Sequence, residues 1–297
     1  MQLRSLKHPL FLLLALLLAS TLAFAACSDD DDDEDDGDAT ATATEDAGGG
    51  TIDITGVDEL DDGTLTMGSD IAYAPIEFYE EGTTNAMGLD IDIATAMAEE
   101  LGVEVEFEQV ADFAGIVGDL TSGRYDIVMS AISITPEREA EIDFIAYFGP
   151  VGTTVVTPAD NPFGITTIEK ACGRILGAQD GTYQVDQMTA LNESACAADP
   201  IDIRTYPDNP AVITDLELGR IDGALMDDPV GAYAVLQSEE DIALSVIGVE
   251  GAEYGIGVRK DSTELNRVLQ EAFDAIVADG TYADILEEWG QTSFGLQ

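Results

Sequence analysis

Few residues in this chain could do charged chemistry of a specific kind, and Arg138 and Asp227 are foremost among them. Arg138 follows Thr135-Pro136-Glu137, a helix start with Thr as N-cap, Pro at the first position and an acid in the first turn. That puts Arg138 at the third helical position, where the positive helix end favours an anion. A guanidinium there can hold a carboxylate through two parallel hydrogen bonds. On position alone, pairing with Glu137, Glu139 or Glu141 at the surface is the better reading. Asp227 ends the apolar run that starts at Gly223, so its carboxylate belongs at a sheet edge. Its rival, Asp228, stands before Pro229 and suits the cap of the helix that follows.

Other chemistry is excluded by composition. The single histidine is His8, inside an apparent export leader, so the mature protein has no imidazole. That removes Ser-His and Cys-His nucleophile pairs and His-ligated zinc. No cofactor motif and no metal-ligand spacing replaces them. Cys172 and Cys196 are the two cysteines beyond the N-terminal segment. In an oxidising compartment such a pair reads as a disulfide.

The N-terminus explains the compartment. Arg4 and Lys7 precede the apolar run Leu10–Leu18, and small residues lead to Ala23-Phe24-Ala25-Ala26-Cys27. Residues 1–26 read as a signal peptide, too short in their apolar part for a comfortable membrane span. Cys27 fits a lipid attachment site, and cleavage after Ala25 is the rival reading. Residues 27–50 hold eleven acids among Ala, Thr and Gly, the composition of an extended disordered tether. This acidic run lacks the spaced glycine and closing Glu of a calcium loop. Beyond it, nine Lys and Arg face 49 Asp and Glu: eleven bases less two in the leader, and 60 acids less eleven in the tether. A net charge near −40 repels nucleic acid and anionic membranes. Such acidity fits a high-salt habitat, and equally an ordinary acidic exported protein.

The elements that must position these residues alternate. Thr64–Ser69 reads as a strand, 89–101 as a helix, Val103, Val105 and Phe107 as an alternating strand, 113–121 as a short helix and 126–132 as a buried strand. The rhythm repeats with strand 174–178, helix 183–191, strand 201–206, helix 211–218, strand 223–227 and helix 230–237. Strand 254–259 and a helix capped by Ser262 and stopped by Gly280 complete it. Apolar strands alternating with helices predict an α/β fold with parallel sheets covered on both faces. Gly123-Arg124-Tyr125-Asp126 and Gly219-Arg220-Ile221-Asp222 each precede an apolar strand with polar residues at its end. Ligands sit at that end of open parallel sheets, so two such lobes face to face would enclose a cleft.

A family resemblance enters here. Leu65-Thr66-Met67-Gly68-Ser69-Asp70 with Tyr73-Ala74-Pro75-Ile76-Glu77-Phe78, Gly88-Leu89-Asp90-Ile91-Asp92, the run Met129–Arg138 and Ala278-Asp279-Gly280-Thr281-Tyr282 are similar, in order, to motifs of family 3 extracellular solute-binding proteins. These serve polar amino-acid transporters of the ATP-binding-cassette type. The resemblance spans about Leu65 to Trp289. It implies two Rossmann-like lobes joined by a two-segment hinge, the periplasmic-binding-protein type II fold. Lobe 1 would comprise 51–149 plus 250–297 and lobe 2 150–249, with crossings near 148–152 and 246–254.

For the site, the resemblance implies ligand contacts from Asp70, Tyr73, Phe113, Ser130, Ala131, Ser133, Arg138, Gly181, Thr182 and Asp227. Arg138 would clamp the carboxylate of an amino acid and Asp227 its ammonium. Tyr73 and Phe113 would wall the cleft, and Asp70 would select a basic or polar neutral side chain. Glu77, an acid the family commonly carries, reads as structural. The implied protein is a monomeric, lipid-anchored capture component that hands its ligand to a membrane permease. It is not an enzyme; the alternative is a dehydratase-type enzyme of the same fold acting on a small carboxylic acid.

Overall fold

Strands β1 (Thr64–Ser69) and β10 (Gly223–Asp227) are buried along nearly their whole length, which is what helices on both sheet faces require. The computed structural model describes residues 52–238 and 240–296. The signal-peptide, Cys27 and tether readings lie outside them. Between β1 and α1 (Leu89–Leu101) a small antiparallel sheet intervenes, made of β2 (Ala72–Tyr73), β3 (Glu77–Tyr79) and β4 (Ala86–Met87). Then follow β5 (Glu104–Gln109), α2 (Ile116–Thr121), β6 (Ile127–Val128), α3 (Pro136–Glu139) and β7 (Ile142–Pro158). The next group is β8 (Ile175–Gln179), α4 (Tyr183–Glu193), β9 (Asp202–Tyr206), α5 (Asn209–Glu217), β10 and α6 (Asp228–Gln237). Last come β11 (Ile242–Arg259), α7 (Thr263–Asp279) and α8 (Thr281–Glu288).

The expectation of separate parallel sheets needs correction. The main sheet is continuous and mixed, in the order β5-β1-β6-β11-β7-β10-β8-β9. β5, β1 and β6 run parallel in one half, and β10, β8 and β9 run parallel in the other. The two long strands β7 and β11 pair antiparallel from Ile142–Arg259 to Pro158–Ile242 and run through both halves. Expected strand 254–259 is thus the end of a much longer strand, while the expected strand 126–132 shortens to Ile127–Val128 because the chain turns there into the cleft.

Between Leu244 and Gly255 the β7–β11 register shifts repeatedly. Segments 148–152 and 246–254 lie in this irregular stretch, the natural place for a bend. Gly251 is required there: a Cβ on it would lie 1.7 Å from the Val151 carbonyl oxygen. Asp228 serves this region rather than capping α6. Its carboxylate accepts the Gly248 N–H at 3.2 Å, because β11 passes beside the start of α6.

Cys172 and Cys196 form a disulfide. Cys196 is buried against Leu176, Ala178, Met188 and Leu225 in the core of the second half. Closing a loop across a separation of 24 residues stabilises the fold by about 3 kcal/mol in the chain-entropy model.

Candidate functional site

Four strand ends meet at one cavity. Asp70 follows β1, the segment Ser130–Ser133 follows β6, Gln179 ends β8 and Asp227 ends β10. All four are C-terminal ends of parallel strands, where backbone dipoles and diverging connections leave a crevice. Tyr73, Glu77, Phe113, Arg138 and the first turn of α4 complete the lining. The cavity encloses about 300 Å³, its open mouth included.

Arg138 reaches this cavity because Thr135 caps α3. The Thr135 hydroxyl accepts the Arg138 N–H at 3.3 Å, with Pro136 at the first helical position. Its guanidinium donates to the Ser133 carbonyl at 2.7 Å and to the Gly181 carbonyl at 3.0 Å. It lies 5.6 Å over the Phe113 ring centroid, close enough for cation–π attraction. None of the eight ion pairs among the described residues involves Arg138. Its surface-pairing alternative with Glu137, Glu139 or Glu141 therefore has no support here. Burial lowers its pKa, opposed by Asp186 and Asp227, and a guanidinium stays charged.

Asp227 faces it from the second half. Tyr73 donates to one carboxylate oxygen at 2.7 Å and Gln184 to the other, also at 2.7 Å. Burial pushes Asp227 up to about 6, while these donors pull it down. It is therefore mostly ionised near neutral pH. Tyr73 is thus less a stacking wall than a hydroxyl bridge between the halves.

Asp70 is also enclosed, at 7 % exposure. Gln109 donates to one oxygen at 2.9 Å, and Gln179 to the other. Gln109 is fixed by accepting the Ile71 N–H, and Gln179 by accepting from Asn209. Burial raises the Asp70 pKa, and the two amides partly offset it. Among the described residues, the side chains that donate to this carboxylate are both neutral amides.

Nine of the ten residues expected at the site line the cavity: Asp70, Tyr73, Phe113, Ser130, Ala131, Ser133, Arg138, Thr182 and Asp227. Gly181 does not line it; it supplies the carbonyl that Arg138 engages. Thr182 turns its hydroxyl to the Gln179 carbonyl instead of capping α4. Gln179, Tyr183 and Gln184 also line it and were not anticipated. The strand-end rule that selected Asp227 would have selected Gln179 equally. Gln184 carried only a weak signal, a polar residue in a helix's first turn.

A family model describing bacterial extracellular solute-binding proteins, family 3, matches residues 65–292. The chain belongs to this family. Among its relatives, the L-cystine-binding protein of Escherichia coli K12 is 27 % identical over 228 residues, covering 76 % of this chain and 82 % of that protein. The arginine-binding protein of Corynebacterium glutamicum is 29 % identical, covering 77 % and 74 %. Among solved structures, an ancestral arginine-binding protein bound to arginine superposes with a TM-score of 0.71 at 31 % identity, covering 76 % of this chain and 98 % of that one. The two sheet halves are thus the two lobes of a type II periplasmic-binding fold, and the cavity is the interlobe cleft of a family 3 solute-binding protein.

Proposed function

We propose that the cleft binds one amino acid with a basic or polar neutral side chain, for delivery to an ATP-binding-cassette uptake transporter. One observation carries the reading: a guanidinium and a carboxylate face a single small cavity from opposite lobes. Arg138 answers the ligand's carboxylate and Asp227 its ammonium. Asp70, buried with only neutral donors around it, remains to meet the side chain. A cationic or amide group suits it; an acidic one is repelled. Ser130, Ala131, Ser133, Gly181 and Thr182 contribute backbone and hydroxyl contacts, and Phe113 a stacking wall. Lobe 1 is proposed as 51–149 plus 250–297 and lobe 2 as 150–249, closing by hinge motion on a monomer. The relatives reported above are named as binding proteins, which favours capture over the dehydratase alternative.

A thermal-shift panel over amino acids and small carboxylic acids tests this. A ligand at about 100 times its Kd stabilises by about 2.7 kcal/mol. Shifts with amino acids of the stated class are expected; shifts confined to carboxylic acids without an ammonium would refute the reading. In the same panel, Asp70→Asn should move the preference from basic toward neutral side chains by roughly tenfold, on the order of 1.4 kcal/mol. An unchanged ligand ranking would remove Asp70 from the specificity role.

The protein is proposed to be exported and held at the membrane by a lipid on Cys27, with residues 27–50 as tether. Intact-mass analysis of membrane fractions should find a chain beginning at acylated Cys27. A lipid-free chain beginning at Ala26 would contradict it.

A further inference from the structure

Beneath the cleft lie two carboxyls that the binding reading leaves unused. Glu77 and Asp90 are both 0 % exposed. Each holds one of two successive residues of the cleft segment. The Ser130 hydroxyl donates to Glu77 Oε1 at 2.7 Å, and the Ala131 N–H donates to Asp90 Oδ2 at 2.9 Å. Ala131 has φ of 45°, a left-handed conformation that a residue with a Cβ keeps only when its surroundings impose it. Asp90 holds its N–H, and Glu77 holds the hydroxyl of the residue before it.

Their hydrogen bonds differ in kind. Asp90 accepts at both oxygens, from Ala131 and from the Tyr147 hydroxyl at 2.7 Å, a pattern that favours its ionised form. Glu77 accepts at Oε1 only, and its Oε2 is buried without a partner. Ser130 has a single O–H, and its oxygen is already occupied in accepting the Asp70 N–H at 3.0 Å, so it serves only Oε1. Around Glu77 stand Tyr73 on β2, Asp90 on α1, Asp70 after β1 and Asp227 on β10, with Tyr147 of β7 beside Asp90. None of these is a cation. Arg138, the cation of the cleft, donates to Ser133 and Gly181. An ionised carboxylate so enclosed, with like charges as neighbours, would cost several kcal/mol; a buried group in that position takes a proton instead.

We propose that Glu77 stands as a neutral carboxylic acid beneath the cleft, its proton allowing two buried acids to pin Ser130 and Ala131 side by side. Glu77 is then a positioning residue. It leaves Asp70 and Asp227 as the ionised acids, against one guanidinium, of the cleft lining. Burial, followed by the charge of Asp90, drives the Glu77 pKa well above 4.5, in keeping with this state. Asp90 is itself raised to about 7 by burial, with its two donors opposing.

Glu77 binds its proton more tightly folded than unfolded, so its contribution is complete below about pH 4.5 and lost as pH rises through the folded value. Glu77→Gln keeps an oxygen for Ser130 and removes the titration.

Infrared spectroscopy of the protein carrying carboxyl-labelled glutamate reads the proton directly. Glu77 is the one buried glutamate among the described residues, so a single protonated-carboxyl band at about pH 7 is expected, absent from Glu77→Gln. No such band in the parent overturns the proposal whether or not the variant folds. A band that persists in the variant overturns it too. Thermal melts give a second reading. The melting temperature of Glu77→Gln relative to the parent should climb by about 3 °C per pH unit above about pH 4.5. A difference flat in pH means that Glu77 titrates normally, and the proposal fails.

Discussion

Replacing Arg138 with Met is expected to weaken binding of the preferred amino acid at least about a hundredfold, roughly 2.7 kcal/mol, in a protein that stays folded. Each charge-assisted hydrogen bond to the ligand contributes about 1.5–3 kcal/mol. Losing the guanidinium also strands the ligand carboxylate in a closed cleft, which adds a penalty of its own. Folding should be spared, because Arg138 takes part in none of the ion pairs among the described residues and its two acceptors are carbonyls at the cleft surface. Asp227→Asn should weaken binding on a similar scale, since it removes the countercharge to the ammonium. Its oxygen can still accept from Tyr73, but the new amide faces the Gln184 donor, so some loss of stability accompanies it. Calorimetric titration of both variants checks this. Parent-like affinity in Arg138→Met would leave Arg138 as a cleft-edge brace between Ser133 and Gly181.

How far the sequence reaches is visible in particular residues. Thr135-Pro136 predicted a helix start, and α3 begins there with the hydroxyl cap in place. The apolar run to Asp227 predicted a buried strand with a carboxylate at its end, and β10 has those bounds. Such features are local, set by capping geometry and side-chain periodicity. The continuity of the main sheet was not legible, because it depends on β7 and β11 pairing across all of the chain between Pro158 and Ile242. Local pattern showed only 254–259 of β11 as a strand and left β7 unread, and it says nothing of partners. The amide relay Asn209–Gln179–Asp70 was hidden for the same reason: glutamine and asparagine carry no pattern until the fold brings them together. Glu77 illustrates a subtler limit. Its place beside the motif was plain, but its unpartnered oxygen appears only once β3, α1 and the Ser130 turn are packed.

A methyl group at position 181 should have the largest effect on affinity of any change outside the charged pair. Gly181 has φ of 72°, and a Cβ there would lie 2.5 Å from Ala114 Cα on the opposing lobe. The obstacle is backbone, which cannot rotate away as a side-chain tip could. Gly181→Ala therefore opposes the close approach that lets the Gly181 carbonyl meet Arg138. Without that approach a ligand held by Arg138 loses its partners from lobe 2, Asp227 and the first turn of α4. Two forfeited charge-assisted contacts amount to about 4 kcal/mol, or roughly a thousandfold in Kd. The separate cost in stability is smaller, about 1–2 kcal/mol for a left-handed alanine, because position 181 is an exposed turn. Affinity should thus fall much further than melting temperature, a split that a general folding defect would not produce. Small-angle scattering with saturating ligand adds the decisive measurement: the parent should contract on binding and Gly181→Ala should not. If the variant contracts as the parent does and binds within tenfold of it, the lobes do not need to approach this closely, and the closed contact between Gly181 and Ala114 is incidental to capture.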